Sequence, residues 1–332
     1  MYPWGWSVAA PHPHGPAPMA ADPEGALISQ LSGYRGHGME PTLPSCHANG
    51  IEIEYDTFGS PKDPAMLLVM GLSMQLTGWE PEFCERLAER GFYVIRFDNR
   101  DMGLSTYFDE APVPDLGAVL GGDNSQVTYL LADLADDAAG LLTALGIKAA
   151  HVVGVSMGGM IVQELLLRHP DQLLSACSIM STTGAADVGQ PSPEAAAALL
   201  TPAPTNREEA IAKGMASWRV FQSPAYPHTD EYLLEQEAAF YDRAFHPAGS
   251  ARQLAAILAS PDRTAGLKAV STPTLVIHGE ADPLINVSGG RATAAAIPDA
   301  ELRTYPGMGH DLPPQLWDTY VDEITANAAR AK

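Results

Sequence analysis

Residues 149–163, AAHVVGVSMGGMIVQ, leave few folds open to this chain. An apolar, β-branched run ends in Gly154, Val155, Ser156, Met157 and Gly158, and a helix-forming stretch follows without a linker. Strand, sharp turn and helix in that succession put Ser156 at the apex. This is the G-x-S-x-G pattern, the nucleophile elbow, in which a strained backbone lifts the serine hydroxyl clear of a sheet. Glycine is needed at 154 and 158 because strand and helix backbones approach too closely there for a Cβ. The serine oxygen then lies over a helix N-terminus, whose N–H groups and dipole stabilise a developing negative charge. A glycine-rich β-to-α turn with an idle serine has the same appearance, so the rest of the chain must supply a base and an acid.

The flanking sequence alternates strand-like and helix-like segments. Residues 51–56 alternate apolar and polar, as in a strand with one wet face. Residues 65–70 form a continuous apolar run, as in a strand buried on both faces of a parallel sheet. A helix is predicted from Pro81 to Arg90, opened by proline and closed by Gly91. Strands follow at 92–97, 150–155, 173–180, 273–278 and 301–305, with helices at 129–145, after Ser156, and from about 316 to 329. The alternation predicts an α/β fold with a doubly wound, mostly parallel sheet. Between Gly184 and Ser260 only helical stretches occur, at 193–200, 206–221, 229–245 and 251–259. They read as a helical cap inserted after the strand that follows the nucleophile helix. The predicted division is an irregular N-terminal extension over 1–46, a core over 47–183 and 261–332, and the cap over 184–260. A short helix near residues 25–31 and a solvated His12/His14 pair are expected within the extension.

Bulk properties exclude several classes of function. The 332 residues include 46% hydrophobic and 18% charged, as in an ordinary globular protein. A net charge of −21 and a pI near 4.7, with no Lys/Arg cluster, argue against nucleic acid and anionic membranes as partners. Cys46, Cys84 and Cys177 are odd in number and lack metal-ligand spacing, so a reducing, cytoplasmic setting is expected, without metal or other cofactor. Neither a transmembrane helix nor a secretory signal is expected. A homo-oligomer stays open.

A serine hydroxyl needs a base to take its proton and a third group to orient that base. Among the ten histidines, His310 follows the last strand on a glycine-rich loop (residues 306–313, PGMGHDLP), at the edge where function in such sheets lies. His151 falls at the wrong end of its strand, His169 beside a helix end, and His278 at a strand end. Asp282, stiffened by the following proline, leaves the preceding strand and supplies the acid; Glu280 and Asp187 are the rival carboxylates. Ser156, Asp282, His310 is the chain order of an α/β-hydrolase triad. The backbone N–H groups of Met157 and Leu72 are the expected oxyanion donors.

Residues 67–71, Trp79, 94–101, 103–105, 151–158, 273–277 and 306–310 together resemble the α/β-hydrolase superfamily. Within it they are similar to the anthracycline (aclacinomycin) methylesterase and related carboxylesterase branch, over roughly residues 50 to 330. The resemblance implies a serine esterase that cleaves a carboxylic ester of a small, largely apolar molecule through an acyl-enzyme. The same triad would serve a lactonase, a C–C bond hydrolase or a cofactor-free perhydrolase. A silent small-molecule-binding protein on this fold is the rival from another class. Asp98, Arg100 and Ser105 resemble the loop beside the active site and imply an ion pair and a turn bracing the oxyanion loop. Met70-Gly71 stands where many members carry His-Gly. An anionic substrate would call for a basic group in the cap, with Arg219 and Arg243 the candidates.

Overall fold

The computed structural model describes residues 43–331. Its strands are β1 (Ser45–Ala48), β2 (Ile51–Phe58), β3 (Ala65–Val69), β4 (Tyr93–Phe97), β5 (Ala150–Val155), β6 (Leu173–Ile179), β7 (Thr274–Gly279) and β8 (Glu301–Tyr305). They form one sheet in the order β1-β2-β4-β3-β5-β6-β7-β8. The β1–β2 and β2–β4 pairs are antiparallel, and every pair from β4 to β8 is parallel. The helices are α1 (Pro81–Glu89), α2 (Leu116–Leu120), α3 (Leu131–Ala144), α4 (Met157–Arg168), α5 (Pro193–Leu199), α6 (Arg207–Phe221), α7 (Asp230–Arg243), α8 (Pro247–Ala259), α9 (Thr264–Leu267), α10 (Ser288–Ala296) and α11 (Trp317–Ala328).

The apolar runs are explained by two helical layers. Alternate side chains of a strand point to opposite faces. Leu67 and Val69 of β3 pack with Leu134, Leu141 and Ile161 of α3 and α4. Met66 and Leu68 pack with Phe83 and Leu87 of α1 and Tyr320 and Ile324 of α11. Both faces are covered, so polar alternation disappears and all five β3 residues are buried. Each fully buried Leu or Val contributes about 1.5–3 kcal/mol. Helix α1 ends as predicted, with Gly91 at φ 86°, and α3 ends before Gly146 at φ 72°. Both are left-handed positions that glycine fills without strain.

Five helices, α5 to α9, separate β6 from β7. The Asn206 side chain accepts from the Glu209 amide at 2.9 Å and caps α6, and Thr229 caps α7 through the Tyr232 amide at 3.2 Å. Several elements depart from the sequence reading, the short helices α2 and α9 among them. Ser45–Ala48 is a strand, so the sheet takes up residues 45 and 46 of the predicted extension; four residues are too few to show a period. Helix α8 starts at Pro247 rather than Ala251, because proline suits a first helical turn. Helix α10 went unread, since its sequence SGGRATAAA carries two glycines and no apolar stripe. The expected helix near 25–31 and the His12/His14 pair lie outside the described residues.

Candidate active site

Ser156 sits between the end of β5, near the middle of the sheet, and the start of α4, at φ 55° and ψ −119°. That is costly backbone for a non-glycine residue and persists only where its surroundings enforce it. The Ser156 amide donates to Ile179 O at 2.9 Å, and its carbonyl accepts from Ser181 Oγ at 2.8 Å. A Cβ on Gly154 would collide with the Gly158 carbonyl, and one on Gly158 with the Val69 carbonyl. A Cβ on Gly159 would come within 2.6 Å of Ser181 Cβ. The glycines therefore let β3, β5 and α4 close on one another and raise the serine.

His310 lies on the loop after β8, where its Nε2 is 2.9 Å from Ser156 Oγ and its Nδ1 is 2.7 Å from Asp282 Oδ2. The other carboxylate oxygen, Oδ1, accepts from the Leu284 and Ile285 amides, each at 2.9 Å. These bonds orient the carboxylate before histidine is considered. Asp282 is buried, and burial pushes its carboxyl up. The His310 charge and the hydrogen bonds of His278 and His310 outweigh that effect and hold it down at about 2. It is therefore ionised at neutral pH, and the group facing it, Nδ1, carries a proton to donate.

Met157 follows the serine in the chain, and Leu72 follows Gly71 on the segment that approaches it. A Cβ on Gly71 would stand 3.2 Å from Ser156 Cβ, so the chain leaving β3 runs directly against the elbow. Among the described residues, neither the Leu72 nor the Met157 amide donates to a protein acceptor; for Met157 this follows from its place at the first helical position. The loop after β3 is braced along its length. Asn99 Nδ2 donates to Met70 O at 3.0 Å, the Ser73 amide to Gln253 Oε1 at 3.0 Å, and the Leu76 amide to Asp98 Oδ1 at 2.6 Å. Ser73 has a φ of 62°, a left-handed conformation that the Gln253 bond helps to hold.

Asp98 braces that loop as the motif implied, but its ion pair is made with Arg243 at 2.7 Å. Arg100 instead pairs with Asp137 on α3, with Nε 2.5 Å from Oδ2. Ser105 Oγ donates to Asp98 O at 2.7 Å and forms the turn. Arg243 also donates to Gln75 Oε1 at 2.6 Å, and Arg219 pairs with Asp230 at 3.1 Å, so both arginines have carboxylate partners. Glu280 is exposed and bonded to Thr304, and Asp187 is exposed. His151 bonds Ser175, and His169 bonds Asp136 at the end of α4. His278 Nε2 lies 2.7 Å from Ile285 O, which can only accept, so that nitrogen carries the proton. Nothing in the sequence marks Gln75, which lies within this loop, or Gln253, which reaches it from a distant segment. Among the described residues no group of three or more His, Cys, Asp or Glu side chains is arranged to hold a metal ion.

Residues 60–314 match the family described as serine aminopeptidase, S33. The chain belongs to that α/β-hydrolase family. Rhodomycin D methylesterase DauP of Streptomyces sp. (strain C5) is 30% identical to this hydrolase over 305 residues, covering 85% of this chain and 96% of that protein. Rhodomycin D methylesterase DnrP of Streptomyces peucetius is similar to the same extent. Both names agree with the branch that the motifs resemble. The structure of the enol-lactonase from Burkholderia xenovorans LB400 shares the fold, with a TM-score of 0.68 at 22% identity. That match covers 86% of this chain and 100% of the lactonase.

Proposed function

We propose that this α/β hydrolase is a serine esterase that cleaves a carboxylic ester of a small, largely apolar substrate through an acyl-enzyme. The observation that carries the reading is the unbroken hydrogen-bonded line from Ser156 Oγ through His310 to Asp282, at 2.9 and 2.7 Å. Similarity to two proteins named as methylesterases makes simple methyl esters the first substrates to try.

The chemistry follows from these positions. Ser156 Oγ attacks the ester carbonyl while His310 Nε2 takes its proton, and the Asp282 carboxylate stabilises the resulting imidazolium. The free Leu72 and Met157 amides receive the oxyanion. Collapse of the tetrahedral intermediate breaks the bond to the alcohol oxygen, which leaves with the proton from His310. Water, deprotonated by the same histidine, then attacks the acyl-enzyme and frees the acid and the serine. The protein's own groups close this cycle.

Residues 184–260 are assigned to a cap over this site. Support comes from two attachments: the His310 amide donates to Phe221 O at 2.7 Å, and Arg243 reaches Asp98. Commitment of Arg243 and Arg219 to carboxylates favours uncharged substrates over anionic ones. Cys46, Cys84 and Cys177 are all free, which suits a cytoplasmic protein. No helix among the described residues is long and apolar enough to cross a membrane.

Labelling with a fluorophosphonate probe followed by peptide mapping tests the reading. The expected product is a single adduct on Ser156, absent from Ser156→Ala, whose ester turnover falls by at least about 10³-fold with the fold retained. Ester hydrolysis by Ser156→Ala at the wild-type rate would exclude it.

A further inference from the structure

The His310 loop contains no regular secondary structure and has glycine at 307 and 309, so its own sequence does little to fix the ring. The Ala281 amide holds Met308 O at 3.0 Å, and around the histidine itself further restraints come from the turn between α6 and α7. The His310 amide donates to Phe221 O at 2.7 Å, and the Gly309 amide donates to Ser223 Oγ at 2.8 Å. A Cβ on Gly309 would come within 2.6 Å of the Phe221 and Gln222 carbonyl oxygens, so the two segments lie backbone against backbone. Asp311, the residue after the histidine, completes the clasp. Its side chain is 1% exposed. Its Oδ2 accepts from the Ser223 amide at 3.1 Å, and its Oδ1 accepts from the Ser223 hydroxyl. His228 Nε2 stands 3.4 Å from the same carboxylate.

A buried carboxylate is expensive to keep unless its bonds are well made. Here both of its hydrogen bonds go to Ser223, with His228 of the same turn beside it. Ser223 is equally buried, and its hydroxyl is used twice, once as donor to Asp311 and once as acceptor from Gly309. The carboxylate thus orients the hydroxyl so that its lone pair faces the Gly309 amide. With that amide and the His310 amide both tied, the backbone on either side of the imidazole has one setting.

We infer that Asp311 and Ser223 are positioning residues for the proposed esterase reaction, holding the His310 imidazole in line between Ser156 and Asp282. This rests on the serine-esterase reading and adds the device that aims its base. Neither residue touches the reacting atoms. The relevant scale is that a misplacement of about 1 Å in a reacting geometry costs about 10²-fold in rate.

The test uses Asp311→Asn and Ser223→Ala in the full-length chain. Four quantities are measured: thermal unfolding, the kcat and the KM for a neutral p-nitrophenyl ester, and the downfield proton resonance of the His310 Nδ1–H bonded to Asp282. That resonance is assigned by its loss in His310→Gln. Both variants should stay folded, with kcat down about 10- to 100-fold, KM within about threefold, and the resonance broadened or moved upfield. If Asp311→Asn fails to fold, Ser223→Ala, which loses one hydroxyl, carries the test. A folded variant with kcat within threefold of wild type overturns the inference. So does a fall in kcat with the resonance unmoved, because the ring would then be correctly placed. Should the wild-type chain hydrolyse no ester and leave Ser156 unlabelled, the esterase reading fails. The resonance in the two variants would still decide whether Asp311 and Ser223 position the ring.

Discussion

Arg243 and Asp98 lie 145 residues apart in the sequence, and the Arg243 guanidinium is 2.7 Å from the buried Asp98 carboxylate. One oxygen of that carboxylate holds the Leu76 amide, and the other holds Arg243 and the Leu104 amide. The end of α7 is thereby joined to the loop that follows β3. Gln75 Nε2 extends the junction by donating to Phe240 O at 2.7 Å and Ala244 O at 2.9 Å. Removing one member of a buried pair leaves the other charge uncompensated.

Arg243→Met should therefore destabilise the protein by about 2–3 kcal/mol, less than for a fully buried pair because the arginine is partly exposed. Loosening of the loop should lower kcat about tenfold. Denaturant unfolding of Arg243→Met, Asp98→Asn and the double variant gives the coupling. A coupling energy below about 0.3 kcal/mol would show the two residues to be independent.

Asp282→Asn should reduce kcat by about 10³- to 10⁴-fold, because an amide can present an N–H to His310 and favour the wrong tautomer. Glu280→Gln and Asp187→Asn should stay within about threefold of wild type, since neither carboxylate meets His310. The ranking of the three in one ester assay checks the choice of acid, and a crippled Glu280→Gln would reverse it.

Gly158→Ala should give little soluble protein. Its Cβ would meet carbonyl oxygens of Val69 and Met70, which are main-chain atoms with nowhere to go, so a loss above about 4 kcal/mol is expected. Gly91→Ala has open space around it and only the positive φ to strain it, at a cost of about 1–2 kcal/mol. Soluble yield and unfolding midpoint of the pair separate the two causes.

Glu237 on α7 lies between two helices: its Oε1 accepts from Trp218 Nε1 at 2.7 Å, and its carboxyl packs over Gly214. Burial pushes its carboxyl up to about 7, with the Trp218 bond opposing. Below pH 4.5 the group is protonated folded and unfolded, and its contribution to stability is fully present. That contribution is lost as pH rises through about 7, because the unfolded chain ionises first. Glu237→Gln should match wild type near pH 4.5 and exceed it at pH 8 by up to about 3 kcal/mol. An equal stability difference at both pH values, measured by urea unfolding, would contradict this.

The legible part of the site was local. Ser156 stands out because the requirement for small residues at 154 and 158 and the change from strand to helix are covalently adjacent to it. His310 and Asp282 stand out by following the last two strands of a parallel sheet, whose C-terminal edges share one side of the molecule. The strand–helix alternation was equally open, because two-sided burial removes the polar alternation from β3 and β5. Glu280 and Asp282, however, leave the same strand two residues apart, and only the proline after Asp282 favours it in the sequence. The turn decides it: the Leu284 and Ile285 amides take one Asp282 oxygen and leave the other for His310, while Glu280 turns outward to Thr304.

The chain itself determined the parallel sheet, the raised serine and the order of the three polar residues, since each depends on neighbours within a few positions. Only the tertiary structure decided that Asp98 pairs with Arg243 rather than the nearby Arg100. It alone revealed that Ser223 and Asp311 clasp the histidine loop. Both are contacts between segments far apart in sequence. A charge or a hydroxyl has no partner until the packing of helices around the sheet brings one within hydrogen-bonding distance and shuts out water.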